Sequence, residues 1–137
     1  MEWSLEELYP SIDSFEFEED FLWCDERLDF INKWTNDNLN SQDNAKKKIE
    51  DFLKHEVIFM ATFTKLITYA NLSISVNSND HEALKSFEKL QVMYTRITKP
   101  LVSFEEYLSS VNDLDSLIDS SEFLSEHRFY LKEIKCQ

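Results

Sequence analysis

The chain has 137 residues, contains no glycine and carries a net charge of −13, whereas average usage near 7% would place roughly 10 glycines in it. Without glycine, the P-loop and the G-x-G-x-x-G fingerprint are excluded, and the primed turns of a hairpin-rich sheet protein have no natural residue. The charge repels phosphate backbones and anionic lipid surfaces, so neither nucleic acid nor membrane is an expected partner.

With only Pro10 and Pro100 to interrupt it, the chain is read as all-α. It is expected to form one helical domain over residues 1–137, an apolar arm over 1–12 and a bundle over 13–137. The arm holds Trp3, Leu5, Leu8 and Tyr9, four residues that gain from burial, and ends at Pro10. A first long helix is predicted from Asp13 or Ser14, with Asp13 as cap and Glu16 completing a capping-box pattern. Phe17, Phe21, Cys24, Leu28 and Ile31 draw its apolar stripe. Residues 1–29 hold eleven acids against Arg27 alone, which leaves −3 for the remainder. Such a run reads as a solvated helix face, with a cationic partner surface as the sharper alternative.

The run Thr35-Asn36-Asp37-Asn38-Leu39-Asn40-Ser41 predicts a loop, because its side chains bond their own backbone. A second helix is expected from Ser41–Asn44 to about Leu72. Its buried face is predicted as Ile49, Phe52, Leu53, Met60, Phe63, Ile67 and Ala70, widened by Val57 and Leu66. The longest apolar passage, Val57 to Phe63, is far short of a bilayer span and already contains Thr62. Asn79 or Asp80 should cap a third helix reaching Lys99, with Leu84, Phe87, Leu90, Gln91, Tyr94 and Ile97 inward. Pro100 predicts a boundary or kink. Leu101, Phe104, Leu108 and Val111 continue a stripe beyond it, and a last helix is expected from Ser121, carried by Phe123, Leu124, Tyr130, Leu131 and Ile134. Short loops make successive helices antiparallel neighbours, giving an elongated up-down antiparallel bundle of four to five helices.

A search for chemistry returns no catalytic, cofactor-binding or metal residue. Catalytic zinc in a metallopeptidase needs two histidines one turn apart with a glutamate between them, as in H-E-x-x-H. His55-Glu56 and His81-Glu82 supply the first two letters, but Phe59 and Lys85 stand where the second histidine is required. His127 reads as a solvent-facing helical residue. Glu-x-x-His, the pair a carboxylate-bridged di-metal site needs, does not occur. Cys24 falls on an apolar helical position beside Asp25 and Glu26, which should raise its pKa and blunt it. Cys24 and Cys136 do not form a disulfide framework and fit a reducing cytoplasm. The acidic N-terminus lacks an apolar signal core, so a soluble, cytoplasmic protein is expected. Lys46-Lys47-Lys48 reads as a solvated face.

The opening Trp3-x-Leu5-x-x-Leu8-Tyr9-Pro10, followed by Asp13, Ser14 and Phe17, resembles the start of the oligoendopeptidase F family of zinc peptidases. Tyr69-Ala70-Asn71-Leu72 is similar to the family's Tyr-Ala-x-Leu before the second loop. Pro100-Leu101, Phe104, Leu108, Leu117 and Phe123 through Ile134 follow the family's order of segments. Ser78-Asn79-Asp80 departs from the Asp-Thr pair common there. The resemblance covers essentially all of this chain but only the N-terminal quarter of a typical member. It implies a helical domain that packs over a zinc-bearing catalytic domain and walls a channel for oligopeptides. The family's catalytic residues and zinc belong to the absent part, so the chain alone is expected to be inactive. The alternative is a freestanding acidic helical module for protein interaction.

Overall fold

A computed structural model describes residues 8–135. Trp3, Leu5 and Cys136 lie outside the described residues, as does the side chain of Ile134. Among the described residues the fold is all-α, with no strand. Three long helices pack against one another: α1 (Phe15–Asn38), α2 (Ala45–Val76) and α3 (His81–Ser110). Three short ones follow: α4 (Leu114–Asp119), α5 (Glu122–Glu126) and α6 (Arg128–Lys135). The expected single last helix from Ser121 is therefore divided. Ser121 caps α5 by accepting from the Leu124 N–H at 3.2 Å, and His127 leaves helical geometry at φ −105°, ψ 14° before α6 begins.

Local chemistry accounts for the helix ends. Ser14, rather than Asp13, caps α1, its hydroxyl accepting from the Phe17 N–H at 3.2 Å. The polar run at 35–38 stays helical because its side chains bond backwards onto the same helix. Thr35 donates to the Asn32 carbonyl at 2.8 Å, and Asn38 donates to that of Trp34 at 2.9 Å. The residue types that predict a loop are here compatible with another helical turn. Asn44 takes a left-handed conformation (φ 56°) just ahead of α2, a setting asparagine tolerates. Asp80 caps α3 through the Ala83 N–H at 3.0 Å, as the sequence predicts.

Pro100 does not end α3. The helix runs through it to Ser110, with Pro100 itself buried. A proline inside a helix removes one hydrogen bond and costs about 3 kcal/mol. Burial of Ile97, Phe104 and Leu108 on the same stripe offsets that loss.

Two compact units are evident. The first joins Met1–Asp29 to Val57–Ile97. Its core contains Leu8, Tyr9, Phe17, Cys24, Leu28, Phe59, Phe63, Leu66, Leu90 and Met93. Here Phe17 of α1 meets Tyr69 of α2 at 5.9 Å between ring centroids, and Phe63 meets Tyr94 of α3 at 5.7 Å. The second unit joins Phe30–Glu56 to Thr98–Gln137. Its core contains Ile31, Ile49, Phe52, Leu53, Phe104, Leu108, Val111, Ile118, Leu124 and Leu131. Phe52 stacks on Phe104 at 4.0 Å, and Trp34 lies 6.2 Å from Phe52. Early α1 meets late α2 and late α1 meets early α2, so these neighbours are antiparallel, as are α2 and α3.

The register of α2 and α3 departs from expectation. Phe59 and Met93 are buried core residues, whereas Val57 is 52% exposed and Tyr94 and Gln91 are exposed. Met60, Ile67, Leu84 and Phe87 are half-buried. On α2 the inward positions step through 52, 56, 59, 63, 66, 70 and 73, the spacing of one helical face. That face includes Glu56 and Ser73, whose polarity conceals the true phase. Helix α2 is also long and apolar enough, by length and composition, to cross a membrane, which the short passage 57–63 does not reveal. Helix α2 also supplies eight buried residues to the two cores, from Ile49 to Ala70.

Candidate functional site

Among the described residues two polar constellations stand out, one in each unit. In the first unit, the Tyr9 hydroxyl donates to Asp20 Oδ2 at 2.6 Å. Lys65 Nζ stands 3.9 Å from the same oxygen and 4.5 Å from the centroid of the Tyr9 ring. The Tyr9 ring packs edge-on against Phe17 at 5.2 Å and Tyr69 at 5.3 Å. Burial first, then the hydrogen bond to Asp20, pushes the Tyr9 phenol far above its ordinary range, so it remains a donor. Tyr9 is a fastening for the arm, its phenol held protonated against Asp20.

Cys24 lies in the same unit, fully buried as a free thiol. Its pKa is pushed up to about 12, by burial first and by Asp20 second. The direction agrees with expectation, but the cause is desolvation and Asp20, one turn earlier on α1, rather than Asp25 and Glu26. A thiol held this far from ionisation is not a nucleophile at neutral pH.

In the second unit, Tyr130 of α6 donates to Glu56 Oε1 at 2.6 Å, while Glu56 Oε2 is buried without a hydrogen-bond partner. Burial raises the Glu56 carboxyl above its ordinary range, opposed by the Tyr130 bond and by His127. His127 is not the solvent-facing residue expected from sequence. It is half-buried, with Nδ1 2.9 Å from the Phe123 carbonyl and its ring 4.6 Å from that of Phe123. His55 points elsewhere, its ring edge-on to Phe30 at 5.0 Å and Trp34 at 5.6 Å. His81 is exposed at the start of α3. The three histidines thus sit in separate settings, and among the described residues no group of three His, Cys, Asp or Glu side chains could hold a metal ion.

The orphaned Glu56 oxygen leads to a pH prediction. Its folded pKa lies above the unfolded value, so the group's contribution is fully present below the unfolded pKa. That contribution is lost as pH rises through the folded pKa, where the carboxyl must ionise while buried. Glu56→Gln retains an oxygen for Tyr130 and removes the charge, and should stabilise the protein by about 1 kcal/mol at pH 7. In urea titrations the gain should shrink towards zero below the ordinary carboxyl range. A gain that is equal at pH 3.5 and pH 7 (about one unit below and well above that range) would contradict this assignment.

The Lys46-Lys47-Lys48 run is spent on neighbours. Lys46 donates to the Ser120 carbonyl at 3.0 Å, Lys48 to Ser41, and Lys47 pairs with Asp51 at 3.5 Å. Beside it, an open polar groove of about 460 Å³ is lined by Asn36, Asn40, Ser103, Glu106 and Tyr107, and by Gln42, which donates to Ser110 at 2.9 Å. Its lining offers hydrogen bonds but no paired nucleophile and base. No family model matches this chain, and no curated protein or solved structure matches it.

Proposed function

We propose that the chain is the non-catalytic, N-terminal helical domain of an oligoendopeptidase F-like zinc metallopeptidase, a wall of the substrate channel in a cytoplasmic enzyme that degrades oligopeptides. Zinc and the catalytic residues belong to the remainder of that enzyme, its catalytic domain, which is the partner of this one. The observation that carries the reading is the meeting of Tyr9, Phe17 and Tyr69. These residues come from two separate stretches that carry the family resemblance, the opening pattern and Tyr69-Ala70-Asn71-Leu72, and they form one aromatic cluster with ring centroids 5.2 to 5.9 Å apart. A motif whose parts converge on a fastening has a structural purpose, to set the arm against α1 and α2.

Leu8 and Tyr9 are buried within the first unit, so they are not the surface offered to a second domain. Exposed apolar residues on the helices suit that purpose better, notably the adjacent Val57 and Ile58 on α2. The purified chain should show no chelator-sensitive hydrolysis of a fluorogenic oligopeptide. Mixed with the catalytic domain of an oligoendopeptidase F lacking its own N-terminal domain, it should elute as a one-to-one complex. Hydrolysis by the chain alone, or failure to form that complex, contradicts the proposal.

A further inference from the structure

A groove of about 390 Å³ lies between the start of α1 and the start of α3 in the first unit. Phe17, Phe21 and Leu22 give it an apolar floor, and Asp13, Glu18 and Glu82 line it as carboxylates against the one ammonium of Lys89. The exposed edge of α1 extends the same pattern. Phe15 is 74% exposed and Leu22 52% exposed, with Glu18 and Glu19 standing exposed between them. Phe15 and Leu22 are seven residues apart, about 10 Å along the axis, which is the two-turn repeat of a helix lying alongside.

Two independent features therefore specify what covers this face. The apolar floor and the repeat call for a helix with large aliphatic residues at two-turn spacing. The excess of carboxylates calls for lysine or arginine flanking those residues, with their aliphatic stems on the floor and their charged heads at the rim. A second copy of this chain is a poor occupant, because its own first 29 residues carry the same negative charge. We propose that this groove docks a basic amphipathic helix of a partner protein. The proposal rests on this face alone and is independent of the peptidase reading.

The test uses the whole chain and a synthetic amphipathic helix of leucine, lysine and alanine with leucines at two-turn spacing. Calorimetry should give one-to-one binding that weakens as salt is raised, with NMR shifts concentrated at Ile12, Phe21 and Leu22. The double variant Glu18→Lys with Glu82→Lys should weaken binding roughly tenfold or more by placing like charge against the peptide. Leu22→Ser should weaken it separately. These positions are exposed, so circular dichroism should be unchanged and the unfolding midpoint should move only slightly, by the loss of first-turn carboxylates at Glu18 and Glu82, which separates lost docking from lost folding. A scrambled peptide of identical composition should bind at least tenfold more weakly, since it lacks the apolar repeat. Equal binding by the scrambled peptide would reduce the face to diffuse electrostatics and overturn the proposal. So would shifts mapping elsewhere, or a dimer in sedimentation that buries this face.

Discussion

Phe52→Ala should lower stability by about 3–5 kcal/mol, the range for removing a fully buried phenylalanine. Phe52 is 0% exposed, stacks on Phe104 at 4.0 Å and lies 6.2 Å from Trp34, so its loss leaves a cavity between α1, α2 and α3 of the second unit. Alanine is the best helix former, so the loss is one of packing and not of helix propensity. Against a total stability of about 5–15 kcal/mol, such a change consumes a large share. In urea the midpoint should fall with little change in slope. Val57→Ala is the control on the outward side of α2, where the side chain is 52% exposed. It should stay within about 0.5 kcal/mol. Equal losses at both positions would mean that α2 is rotated away from the phase that buries Phe52, Phe59 and Phe63.

The second large effect is expected at Tyr9, where two substitutions separate the ring from its hydroxyl. Tyr9→Ala should cost about 3–5 kcal/mol, since an almost fully buried ring is lost from between Phe17 and Tyr69. Tyr9→Phe keeps the ring and loses only the bond to Asp20, worth about 1.5–3 kcal/mol when the acceptor is charged. The lower end applies, because Asp20 is only half-buried and Lys65 remains near it. Tyr9 also adds an alkaline limit. Its phenol is raised above the ordinary 10.0, so its contribution is complete below that value and is lost as pH rises towards the folded pKa. The Tyr9→Phe protein should therefore lose less stability than the parent between neutral and strongly alkaline pH. A parallel decline in both proteins would remove Tyr9 from this account.

The helices are legible because their signals are local. Absent glycine, scarce proline and apolar residues at three- and four-residue spacing mark α1, α2 and α3, and Asp80 declares the start of α3. The stripe of α1 can be read directly from its four- and three-residue spacing: Phe17, Cys24, Leu28 and Ile31 are buried as predicted, and Phe21 is half-buried. Where several apolar residues stand side by side, as from Val57 to Phe63, composition leaves the phase open. The structure sets it with Phe59 inward and Val57 outward. Glu56 escapes a reading by pattern for the opposite reason. A charged residue on a core stripe looks like a break in the pattern, until a distant tyrosine hydroxyl is found against it.

Neighbours along the chain are enough to dictate an all-α fold, the main helix starts and the lack of a zinc-binding pair. Contacts between distant residues were needed to keep Pro100 inside a helix, to bring the arm residue Tyr9 onto Asp20, and to set the Tyr130 hydroxyl against Glu56. The two tyrosine–carboxylate bonds join residues 11 and 74 positions apart. At such places local preferences, about a kilocalorie or less for ordinary residues and about 3 kcal/mol for a proline, yield to the summed burial of whole apolar side chains.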